Sequence, residues 1–134
     1  MELALSYIQR INLHALFGAQ RGPTLDDTRA FWRLQDLVGL SDDEKREIDY
    51  RIVPLPGGAA GPEWNMEKCA RAAPLVFTLT SEELARIERA VKEWQPGFFA
   101  SIDRAWLEPL LEQFEEIRNN NGLEPAGPAL RRAR

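Results

Sequence analysis

Apolar residues recur three and four positions apart along most of this chain, the spacing of helices that bury one face. The stretch 3–17, LALSYIQRINLHALF, predicts a first helix. Ile8, Ile11 and Ala15 follow its core stripe, and Leu13, Leu16 and Phe17 widen it. GAQRGP, 18–23, ends it. Thr24 can cap a second helix, with Asp26 and Asp27 in the dipole-favoured first turn. Phe31, Leu34 and Val38 form its core stripe, Trp32 and Leu37 flank it, and Gly39 reads as a left-handed stop.

Two later segments carry the capping-box spacing. Ser41 and Glu44 open a short helix over about 42–48, and Thr80 and Glu83 open a longer one. In the longer helix Leu84, Ile87, Val91 and Trp94 mark the buried face. Glu82–Arg86, Glu88–Lys92 and Arg89–Glu93 are spaced as ion pairs on a solvated face. A last helix lies within 101–118, with Ser101 as a candidate cap and Trp106, Leu110, Phe114 and Ile117 as its stripe. Pro109 lacks a backbone donor and predicts a kink or a restart there.

The period changes twice. DYRIVPL (49–55) and PLVFTLT (74–80) are rich in β-formers and bounded by prolines, so both predict short strands, which could pair with each other as an antiparallel ribbon. Between them, Asn65 can cap a short helix that ends near Ala72 or Ala73, with Trp64 folding back as a hydrophobic staple. The expected fold is mainly α (α+β), with five or six helices and a small two-stranded antiparallel β element near 50–55 and 75–80. A single helical domain spans 1–118, and 119–134 forms a flexible C-terminal tail.

Composition narrows the function. At 134 residues, 44% apolar and 28% charged, the chain can bury a real core. The formal charge of −4 argues against nucleic acid, which calls for a basic surplus, and only Arg131, Arg132 and Arg134 in the tail run the other way. No apolar run is long enough to cross a bilayer, and the start, MELALS, lacks the basic and apolar regions of a secretory signal. One cysteine makes no internal disulfide, so a cytoplasmic location is expected.

Little in the sequence suggests catalysis. PGGAAGPEW lacks the Lys-Ser/Thr ending of a phosphate loop and reads as a connection. Cys69 has two readings: a small apolar core residue, or a nucleophile whose pKa is lowered near a helix start, with His14 as the only histidine to serve it. The paired acids Asp26–Asp27, Asp42–Asp43 and Glu115–Glu116 do not face each other on a helix. No catalytic residue, cofactor or metal site is expected. Four tryptophans are many for this length, and they anchor either the core or a partner surface. Trp94, Phe98, Phe99 and Trp106 are the interface candidates.

RLQDLVGLSDDEKREIDYRI, WNMEKCA and FTLTSEELARIERAVKEW, followed by a closing helix, resemble in order a set of small uncharacterised proteins encoded by bacteriophages and prophages. The chain departs from them in the longer PLPGGAAGPE insertion before Trp64. The resemblance implies a viral accessory or assembly protein in the host cytoplasm and carries no catalytic residues. The function expected is non-catalytic protein–protein interaction, with a partner or a second copy, and acidic flanks steering a basic partner. Two alternatives stay open: a small-molecule binder with a pocket near the 54–64 loop, and an enzyme using Cys69.

Overall fold

A computed structural model describes residues 1–20, 22–93 and 103–121. The order is β1 (Glu2–Leu5), α1 (Tyr7–Ala19), α2 (Leu25–Val38), α3 (Asp42–Glu47), β2 (Arg51–Pro54), β3 (Ala60–Glu63), α4 (Met66–Arg71), β4 (Leu75–Thr78), α5 (Ser81–Lys92) and α6 (Arg104–Asn121). The fold is mainly helical α+β with two small antiparallel sheets.

The first element is a strand where the sequence predicts the start of a helix. Leu3 and Leu5 alternate into the core, and Ser6 then caps α1 in a reciprocal box with Gln9. The stretch 2–5 is extended because it pairs with β4, in the register Glu2↔Thr78, Leu3↔Phe77, Ala4↔Val76, Leu5↔Leu75. The expected ribbon is therefore divided. Both predicted strands exist, but each pairs elsewhere: β4 with β1, and β2 with β3 immediately downstream.

The main core gathers Leu3, Leu5, Leu13, Leu16, Phe17, Leu34, Val38, Leu84, Ile87, Val91, Trp106, Leu110, Phe114 and Ile117 among others. The α2, α5 and α6 stripes are buried as the spacing predicts, with Phe31 partly covered. Residue Trp94 lies outside the described residues. In α1 the expected stripe is turned: Leu13, Leu16 and Phe17 face the main core, Ala15 is exposed, and Ile8 and Ile11 are only half-buried. The reason is a second cluster, Tyr7, Ile48 and Cys69, against which Ile8, Ile11, Leu40, Tyr50 and Trp64 pack. Helix α1 stands between two apolar clusters, so its hydrophobic residues surround it more widely than one stripe requires.

Two further expectations change, and a third is narrowed. Glu88 belongs to no solvated face: it is 1% exposed, held by Arg118 Nε of α6 at 2.5 Å and by Lys92 Nζ at 2.8 Å. Its position beside Ile87 puts it under α6, where burial demands a charged partner. Gly39 is extended (φ −57°, ψ 151°) rather than left-handed, because side chain Arg10 satisfies the α2 carbonyls instead. Of the kink or restart expected at Pro109, the restart is absent: helix α6 is unbroken through this exposed residue. The candidate cap Ser101 lies outside the described residues.

Candidate functional site

The surface with the most unusual chemistry forms around the second cluster. Its base is Arg10, 3% exposed. The Nε atom donates to Val38 O at 3.1 Å and Nη2 to Gly39 O at 2.8 Å, capping the C-terminus of α2 from the side. Both Nη atoms also donate to Glu44, Nη2 at 2.9 Å to Oε1. Carboxylate Glu44 meanwhile accepts from the Ser41 backbone N–H at 2.9 Å as part of the capping box. One ion pair, with its arginine buried and its carboxylate partly covered, thus ties α1, the end of α2 and the start of α3 together. The Arg10 guanidinium and hydrogen bonds from Ser41 hold the Glu44 carboxyl down at about 2. The rings of Tyr7 and Phe77 flank the guanidinium at 5.7 and 5.5 Å. The Tyr7 hydroxyl donates to Glu47, and burial together with that carboxylate pushes its pKa up to about 12.

Helix α3 ends in a Schellman motif with no glycine. Asp49 takes the left-handed position (φ 56°), Tyr50 N–H bonds Lys45 O at 2.8 Å, and Asp49 N–H bonds Arg46 O at 3.3 Å. This closure returns Tyr50 to Lys45, whose ammonium lies 5.5 Å from the centre of the Tyr50 ring. The other side of the surface comes from Trp64, stacked on Tyr50 with ring centres 6.3 Å apart and planes 5° apart. Between α1 and α3 lies a cleft of about 120 Å³, lined by Arg10, Ile11, His14, Gly39, Leu40, Lys45 and Tyr50.

Beside this cleft the β2–β3 hairpin projects, its register Arg51↔Glu63, Ile52↔Pro62, Val53↔Gly61, Pro54↔Ala60. Its tip explains the glycine-rich run. Pro56 and Gly57 occupy the centre of a turn closed by Gly58 N–H to Leu55 O at 3.3 Å, and Gly57 and Gly58 have φ of 89° and 86°. Proline followed by a positive-φ residue is the type II arrangement. Among the described residues the two strands pair only with each other. Ile52 is 62% exposed, Met66 60%, and Leu55 is also exposed. At its base, Asn65 N–H reaches Ile48 O at 2.8 Å, and Asn65 caps α4 as expected.

The sequence candidates fare unequally. Trp106 is a core anchor, 7% exposed, with Nε1 donating to Asp103 and its carbonyl accepting from Gln9. An exposed interface tryptophan at 106 is therefore replaced by a packing role, because α6 turns it inward beside Leu110. Trp94, Phe98 and Phe99 lie outside the described residues. Cys69 is buried as the small apolar reading expects, and burial raises its pKa instead of the helix start lowering it. His14 is exposed and lines the cleft, which Cys69 does not. The lining of the cleft includes no residue of the 54–64 loop. Among the described residues no group of three His, Cys, Asp or Glu could hold a metal ion, and no helix is long and apolar enough to cross a membrane.

Sequence reading passed over Arg10, Lys45, Tyr50 and Trp64 as a group. One signal was present: Arg10 falls three residues from both Tyr7 and Leu13, on the buried side of α1, where an arginine demands a partner. The joining of Tyr50 to Lys45 depends on a left-handed aspartate, which no spacing rule announces. No family model, curated protein or solved structure matches the chain.

Proposed function

We propose that this chain is a non-catalytic protein–protein interaction module, and that its docking face is the β2–β3 hairpin with Tyr50, Trp64 and Met66. The observation that carries this reading is the exposure of Ile52, Leu55 and Met66 on and beside a two-stranded hairpin that, among the described residues, pairs only with itself. Isolated two-stranded ribbons are marginal in water, so such a ribbon gains much from a partner. Raised thiol pKa and burial of Cys69 speak for packing rather than nucleophilic chemistry. The likeness to phage-encoded proteins adds the proposal that the partner is a host protein or a virion component.

The test is capture of a partner from host lysate, followed by affinity measurement with the purified partner. Wild type is compared with a double variant, Ile52→Asp with Met66→Asp, and with Leu37→Asp on the remote α2 surface. The reading expects the double variant to lose binding by at least about 100-fold, as hot-spot losses do, while Leu37→Asp keeps it. Equal affinity of the double variant and wild type would contradict it. Light scattering over a concentration series separates a foreign partner from a second copy.

A further inference from the structure

The acids on the side of the molecule that bears the hairpin are mostly met by cations. Asp49 is paired with Lys68 at 2.9 Å and Glu63 with Arg51 at 3.0 Å. Glu67 is paired with Arg71, Asp43 with Arg46, and Glu44 with Arg10. Of the other acids of α3, Glu47 accepts from the Tyr7 hydroxyl and Asp42 stands in the first turn. Lys45 is the exception among the cations of this face. Among the described residues it makes no ion pair; its ammonium rests over the Tyr50 ring, and both residues line the cleft. The His14 side chain lines the same cleft, without a hydrogen bond among the described residues. Arg10, Ile11, Leu40 and Tyr50 also line the cleft.

A cleft of about 120 Å³ is far smaller than sites for drug-sized ligands. It has room for a carboxylate and its first methylenes. A carboxylate placed there meets Lys45 with the low-dielectric Tyr50 ring behind it, where a charge-assisted hydrogen bond is stronger than in open water. Tyr50 also faces the hairpin side, through Trp64, so the segment bearing that carboxylate would continue onto an apolar surface.

We propose that the cleft between α1 and α3 receives an aspartate or glutamate side chain from an extended partner segment, whose flanking apolar residues lie on Tyr50, Trp64, Ile52 and Met66. This rests on the interaction reading above and names the partner's chemistry: a mixed acidic and apolar peptide, opposite to the basic partner that net charge alone suggests.

The experiment selects displayed random peptides on the whole purified chain at low salt. The best binder is then synthesised with its acid as Glu and as Gln. Affinities for wild type, Lys45→Ala and Ile52→Asp are read by fluorescence polarisation, with circular dichroism confirming that each variant folds. The expected result is enrichment of Asp or Glu beside apolar residues. Lys45→Ala and the peptide's Glu→Gln change should each weaken binding about fivefold, as one modest ion pair does, and together no more than either alone. Amide shifts on titration should fall at Gly39, Leu40, Lys45 and Tyr50. Binders without acids, or equal affinity for wild type and Lys45→Ala, overturn the carboxylate site. If such binders still lose affinity in Ile52→Asp, the hairpin reading stands without it. If no binder senses Ile52→Asp, both fall.

Discussion

The two apolar clusters of this molecule are built to different standards. The main one draws on β1, α1, α2, α5 and α6 and seals Phe17, Phe114, Leu84, Ile87 and Leu110 from water. The second has, among the described residues, just Tyr7, Ile48 and Cys69 as buried members, ringed by half-covered side chains. Around it the chain relies on local devices: a Schellman turn, an Asn65 cap, one stacked aromatic pair and the Arg10–Glu44 tie. Hydrophobic burial fixes the fold in the first region. In the second, hydrogen bonds and ring contacts fix the shape of a surface whose apolar groups remain exposed.

Breaking the main core should have the largest effect. Phe114→Ala removes a fully buried ring and should cost about 3–5 kcal/mol, measured by urea unfolding. Arg118→Met leaves buried Glu88, among the described residues, with only the half-exposed Lys92 as a charged partner and should cost about 2–4 kcal/mol. Adding Glu88→Leu to that variant should restore part of the loss, which a purely steric role for Arg118 would not allow.

Effects in the second region should be smaller and pH-dependent. The Glu44 carboxyl titrates near 2 in the fold against 4.5 when unperturbed. Its contribution is therefore complete above pH 4.5 and is lost as pH falls through about 2. Across that window the wild type should lose roughly 2–3 kcal/mol beyond its other carboxylates, and Arg10→Met should flatten the acid limb at a cost to neutral stability. The Tyr7 hydroxyl has the opposite limb: ionisation begins near 10 in the unfolded chain and near 12 in the fold, so its contribution is present below 10 and fades as pH rises toward 12.

The smallest global effect belongs to the hairpin tip. Gly57→Ala has open space around its Cβ but must hold φ near 89°. That conformation costs an L-residue about 1–2 kcal/mol, and the hairpin bears it alone. The expected outcome is altered amide shifts over 51–63, with the melting temperature of the whole chain moved by less than about 2 °C.

Most of the fold was legible because helices announce themselves. The stripes of α2, α5 and α6 and the caps at Thr24, Ser41, Asn65 and Thr80 all follow from spacing and side-chain chemistry. Strand pairing was harder, because which partner Val76 finds depends on a segment some 70 residues away. Residues 2–5 could have been separated from α1 by the Ser6–Gln9 box and the alternation of Leu3 and Leu5. Glu88 shows the limit of spacing arguments: four residues from Lys92, it reads as a surface pair, yet α6 packs over it. The candidate surface was less legible still. Lys45, Tyr50 and Trp64 meet through one left-handed residue and one stacking contact, neither of which has a periodicity.

Native-state hydrogen exchange in rising urea tests the contrast between the two regions most directly. The account predicts that the amides of Asn65 and Cys69, bonded to Ile48 O and Asn65 O, exchange through a partial opening that leaves α5 and α6 closed. The amides of Ile87, Leu110 and Phe114 should exchange only with global unfolding. A single exchange free energy shared by all five amides, with the same urea dependence, would contradict it.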